Sequence, residues 1–108
     1  MTTAKTVVQL PLAAKDVEAA IDFYLFEASQ SVALGFVDAL EGAYRLIGEQ
    51  PATGSSRYAH ELQLPGLRSW PLKRYPHLVF YIEHADRVDV WRVLHAASDL
   101  PAWMTEAT

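Results

Sequence analysis

The spacing of the apolar positions changes along the chain, and the changes mark its elements. Lys5-Thr6-Val7-Val8-Gln9-Leu10 is rich in β-branched residues and runs into Pro11, which has no amide proton to give a ladder, so it reads as a short first strand. From Lys15 the spacing becomes helical. Val17, Ala20, Ile21, Tyr24, Leu25 and Ala28 fall on one face, with Asp16, Glu18, Asp22 and Glu27 on its flanks and back. The early acids would suit the positive end of the helix dipole. Ser29-Gln30-Ser31 interrupts the pattern, and Ser31 is the expected N-cap of a second helix. That helix gathers Ala33, Phe36, Val37, Leu40, Ala43, Tyr44 and Ile47 on one side and Asp38, Glu41, Arg45 and Glu49 on the other, stopping before Pro51. So short a connection between two amphipathic helices predicts an antiparallel hairpin.

Turn-forming residues over Pro51–Ser56 lead into a region of period two. Leu67–Arg74 is a candidate strand in which Pro71 must turn its missing N–H outward, at an edge or a bulge. His77–Glu83 is a strong strand, and His84–Arg87 turns it back into Val88–His95. Strict alternation there sends Val88, Val90, Arg92 and Leu94 one way and Asp89, Trp91, Val93 and His95 the other. The predicted order is β-α-α-β-β-β. It is an α+β layer with the helix hairpin packed on one face of a small, mainly antiparallel sheet.

Length and composition narrow the class. With 108 residues the chain fits one domain over 1–108, its core about 5–100 and its apolar tail 101–108. At 51% hydrophobic and 20% charged it can bury a core. The formal net charge of −4 has the wrong sign for a chain that grips nucleic acid through its phosphates. That charge is uneven. Residues 1–52 hold the whole excess of acids, whereas Arg57, Arg68, Lys73 and Arg74 face only Glu61 between 57 and 77. The absence of cysteine removes disulfides and thiolate chemistry and is compatible with a reducing cytoplasm. No signal pattern opens the chain, and no uncharged run reaches the ~20 residues of a membrane span, so a soluble cytoplasmic protein is expected. The four histidines have no metal-ligand spacing, and neither a phosphate loop nor a nucleophile elbow occurs, so no cofactor or metal is expected.

Leu64-Pro65-Gly66-Leu67-Arg68-Ser69-Trp70-Pro71, Arg74-Tyr75-Pro76, Phe80-Tyr81, and Trp91-Arg92-Val93-Leu94-His95 before Asp99-Leu100 follow one another in an order that resembles the ParE-type toxins of the RelE/ParE superfamily. Phe36-Val37-Asp38-Ala39-Leu40 and Pro51-Ala52-Thr53-Gly54 fall where that family has its second helix and the turn after it. The resemblance spans about residues 5 to 100. It implies the toxin of a bacterial type II toxin–antitoxin pair, neutralised in a hetero-oligomer by a ParD-like antitoxin. Relatives of the ParE type inhibit DNA gyrase, and those of the RelE type cleave mRNA on the ribosome.

The residues then have to choose between binding and cleavage. A nuclease that activates a 2′-hydroxyl needs a proton-transfer group and cations for the phosphorane, and Arg68, Arg74 and His95 are the candidates. His95 is equally a strand-end histidine bonded to backbone or to Asp99. Ser98 stands where the family usually has an arginine, which removes a cation from any RNA grip and would also suit a degenerate toxin that only binds its antitoxin. The expected reading is therefore a non-enzymatic gyrase inhibitor. Its antitoxin-binding residues would be Arg57, Arg68, Arg74, Tyr81 and Arg92, although Arg92 is also a candidate structural ion pair with Asp89 or Glu83. Phe26, off the main stripe of the first helix, joins Phe23 and Trp103 as the candidate target-binding surface.

Overall fold

The computed structural model describes residues 4–107. Strand β1 (Thr6–Gln9) leads directly into helix α1 (Pro11–Glu27), which is followed by α2 (Gln30–Glu49) and a turn of 3-10 helix at Pro51–Thr53. A short helix, α3 (Arg57–Glu61), precedes β2 (Leu67–Pro71), β3 (His77–Glu83), β4 (Arg87–His95) and a last helix, α4 (Leu100–Ala107). The order β-α-α-β-β-β is as the sequence predicts, and α3 and α4 are added to it.

Helix α1 begins four residues before Lys15, with Pro11 at its N-terminus. Proline suits that position because the first amides of a helix have no intrahelical partner. Asp16 therefore lies beyond the first turn and does not serve the dipole. The N-cap of α2 is Ser29, not Ser31: its Oγ accepts from the Val32 N–H at 3.1 Å. Helix α2 buries Ala33, Phe36, Leu40, Ala43 and Ile47, the stripe read from the sequence. Helix α1 buries only Ala13 and Val17 to a comparable degree, and Leu25, expected inside, is 49% exposed.

The sheet order is β1-β4-β3-β2, with β1 parallel to β4 and the other pairs antiparallel. Strand β2 is an edge. Ser69 exchanges both backbone bonds with Ser55 on its outer side, so Pro71, two residues on, also points its missing N–H outward. The β3–β4 register shifts between Phe80 and Tyr81, where Phe80 opposes Arg92 but Tyr81 opposes Val90. Trp91 is the extra residue of a bulge, and the strict alternation expected for β4 fails there. Val88, Val90 and Val93 reach the core beneath α1 and α2 with Val79 and Tyr81. Trp91 and Leu94 join a second core on the opposite face with Leu67, Phe80, Leu100 and Met104. The sheet is thus covered on both faces, on the second by α3 and α4.

Beyond Gln9 strand β1 leaves the sheet, and α1 takes over the edge of β4. Asp16 accepts the Val93 N–H at 3.0 Å, doing for the ladder what the departed strand no longer does. The same carboxylate holds Arg92 through two bonds of 2.7 and 2.8 Å, and the third guanidinium nitrogen donates to the Trp103 carbonyl of α4 at 2.7 Å. Arg92 is 2% exposed. A buried guanidinium is tolerable only with this degree of satisfaction.

Candidate functional site

The end of α1, the start of α2, the loop before β3 and the end of β4 surround an open cleft of about 660 Å³. Its floor is a set of rings in edge-to-face contact. Tyr24 meets Tyr75 at 5.4 Å and His77 at 6.0 Å, and His77 meets His95 at 5.5 Å. Phe36 braces the floor from below, 5.0 Å from His77. Tyr75 is held across α2, donating its hydroxyl to the Val32 carbonyl at 2.7 Å, and it lies so close to Gly35 that a Cβ there would strike its hydroxyl. Phe23 and Trp103 form the walls and are 58% and 44% exposed. Phe26, one turn beyond Phe23, is 88% exposed.

The polar groups of the cleft are unequal. His77 is buried, with a Nδ1 that has no partner among the described residues. Burial, aided by His95, pushes its pKa down to about 4, so it is neutral at physiological pH. His95 opposes it across the ladder and is exposed, its Nδ1 accepting from the Ala97 N–H at 3.0 Å. That bond puts the proton of the neutral ring on Nε2. Arg74 stands exposed at the rim with φ +68, a backbone region costly to any residue but glycine, and its side chain has no bonded partner among the described residues. Asp16 also lines the cleft, but its charge is committed to Arg92.

The other expected site residues lie elsewhere. Arg68, near the start of β2, donates to the Gly54 carbonyl at 2.8 Å, so Arg68, Arg74 and His95 do not converge as a nuclease trio would. Arg57 is exposed on α3 with its guanidinium over the Tyr58 ring. Tyr81, expected on the antitoxin surface, is wholly buried: its hydroxyl donates to the Pro51 carbonyl at 2.6 Å and accepts from the Gly54 N–H at 3.0 Å, locking the turn after α2. Arg92 is likewise interior. Its partner is Asp16, whereas Asp89 is taken by Arg87 and His84. Both belong to the frame, and of the five expected antitoxin residues Arg57, Arg68 and Arg74 keep solvent access. The sequence did not single out Tyr24, Tyr75 and His77 as site residues: Tyr24 read as part of the apolar stripe of α1, His77 as the start of a strand, and Tyr75 only as the middle of the Arg74-Tyr75-Pro76 run.

A smaller recess of about 300 Å³ lies between α2 and β2. Asp38, Arg45, Glu49 and Lys73 line it with charges of both signs, which favour no one ionic partner. No helix among the described residues is long and apolar enough to cross a membrane, and no three His, Asp or Glu side chains there are placed to hold a metal ion.

Over residues 7–100 the chain matches the family model of the ParE toxin of type II toxin–antitoxin systems, parDE. No curated protein matches it. Its fold is similar to a solved chain of the chromosomal ParDE toxin–antitoxin system of P. aeruginosa, with a TM-score of 0.71 and 20% identity over 85% of this chain and 96% of that one.

Proposed function

The chain belongs to the ParE toxin family of type II toxin–antitoxin systems, and from that premise we propose that it arrests growth by binding DNA gyrase, without catalysis of its own, and that a ParD-like antitoxin neutralises it in the cytoplasm. The observation that supports binding is the exposure of Phe23 and Trp103 on the walls of one cleft, with the exposed Phe26 one turn along α1 from Phe23. Large apolar side chains left in water beside a concave surface are the usual signature of a protein contact. In the same reading Arg57, Arg68 and Arg74 are the cations offered to the acidic antitoxin.

The test is a supercoiling assay with purified gyrase. Excess toxin is expected to inhibit the enzyme, and Phe26→Ala, which removes a side chain with little to lose in folding, is expected to weaken inhibition about tenfold. Unchanged supercoiling at micromolar toxin, with no DNA-damage response on expression, would sink the proposal. The nuclease reading keeps one observation in its favour, the meeting of Arg74 and His95 at the cleft. Its mark is codon-linked cleavage of translated mRNA, seen by primer extension and lost in His95→Ala.

A further inference from the structure

The three glycines of α2 do not have the same reason to be there. At Gly35 a Cβ would strike the Tyr75 hydroxyl and at Gly48 the Lys5 carbonyl, so the packing of this chain requires both. At Gly42 a Cβ would meet nothing within 4 Å. Glycine in the middle of a helix is less favourable than alanine, so Gly42 weakens α2 and gains nothing inside the fold in return. It lines the recess between α2 and β2, where a backbone from outside the chain can come close. We infer that this recess is a contact between two copies of the chain, whose α2 helices cross antiparallel at Gly42.

The charges of the recess select a second copy as the occupant. Asp38 and Arg45, seven residues apart and therefore on one side of α2, both line it, as do Glu49 and Lys73, and none of the four is in an ion pair with a described residue. A uniformly acidic or basic partner would gain at two of these groups and lose at the other two. A copy turned about a two-fold axis carries the same charges in the opposite order, which is the complement the recess needs. With the axis at Gly42, Asp38 lies four residues before it and Arg45 three after it. Antiparallel crossing then brings Asp38 level with the partner's Arg45 to within about 1.5 Å along the helix, and the half-buried Leu46 equally level with the partner's Ala39. Glu41, which would add an acid near the axis, does not line the recess. A side chain at position 42 would hold the two helix axes apart, which gives the glycine its reason. The recess shares no lining residue with the cleft, so the contact leaves Phe23 and Trp103 exposed and does not depend on the toxin reading.

The experiment is sedimentation velocity on the purified full chain with no antitoxin present. The mass is expected to rise with concentration from the 12.1 kDa of the monomer to twice that value, with a midpoint of roughly 1–100 μM, as suits a small contact with a polar rim. Gly42→Ala should raise the urea midpoint of the monomer and weaken the dimer about tenfold, opposite effects that damage to the fold cannot produce. Asp38→Arg and Arg45→Asp should each abolish self-association. An equimolar mixture of those two variants should recover it, because every facing pair in the mixed dimer is again of opposite sign, and misfolded chains cannot show that rescue. A wild-type chain still monomeric at about 1 mM, or a mixture that does not recover, overturns the contact. So does amide protection along α2 that is independent of the chain's own concentration and comes only when a ParD-like antitoxin is added, which would give the recess to the antitoxin.

Discussion

At the scale of single residues, the strongest constraint in the molecule is the Asp16–Arg92 pair. Removing one member strands the other in the interior, and Arg92→Ala is expected to cost about 3–5 kcal/mol. Replacing both by apolar residues of similar size, Asp16→Leu with Arg92→Met, removes the stranded charge but leaves the Val93 N–H unmet, so most but not all of the loss should return. Urea midpoints of the two singles and the double check this. If the effects simply add, the pair is not the coupled unit described. His77 gives a pH dependence of defined sign. Its pKa is about 4 in the folded chain and near 6.5 when unfolded, so between those values the unfolded state binds more protons. Stability is complete above pH 6.5, falls by up to about 3 kcal/mol toward pH 4 and is flat below it so far as this residue decides. His77→Phe should flatten that limb of a pH series of urea midpoints. An unchanged slope would show that the ring titrates normally. Neither role was legible beforehand, because Asp16 read as a solvated flank of α1 and His77 only as the first residue of a strand.

Elements were more legible than their edges. The helix hairpin and β3 are where the spacing put them, since an amphipathic stripe and a period-two run are signals carried by many residues at once. The faces of β4 were not, because one extra residue at Trp91 reverses the alternation beyond it and nothing in the composition of the strand announces a bulge. Short α3 offered too few residues for a period. In α4 the apolar tail left docking and display equally open, and the structure divides them: Met104 is 1% exposed against Leu67, Phe80 and Leu94, and Trp103 faces the cleft. The two neighbours should therefore separate on mutation. Met104→Ala empties a packed site and should cost about 2–4 kcal/mol, whereas Trp103→Ala should cost less in stability and more in binding. The turn after α2 is similarly tied. Gly54→Ala would drive a Cβ into the Tyr81 hydroxyl and break its two bonds, and thermal melts should show it to be more damaging than Tyr81→Phe, which loses the hydroxyl and keeps the backbone.

On the scale of the whole molecule, charge and shape pull in different directions. The net charge of −4 belongs to residues 1–52, and therefore to β1, α1 and α2, yet the cleft that α1 and α2 help to build presents Arg74. An acidic segment approaching from a distance meets the acids of the helices, and only within a few ångströms of the rim does it meet the arginine. These two interactions are screened differently. Repulsion over ten ångströms or more is largely removed at about 0.15 M salt, where the Debye length is about 8 Å, whereas a contact ion pair at a partly enclosed rim loses much less. The association rate of a labelled peptide carrying one leucine between glutamates, a stand-in for an acidic antitoxin segment, is therefore expected to rise, or hold level, as salt is raised from about 10 mM to about 150 mM, with little change in the dissociation rate. Stopped-flow fluorescence measures both. A steep fall in the association rate would mean that the basic groups between Arg57 and Arg74 act together as a steering field, which their separation in the fold argues against: Arg68 is bonded to the Gly54 carbonyl near the start of β2, and Arg74 lies beyond its end. That separation is why the basic cluster in the sequence does not become one patch on the surface.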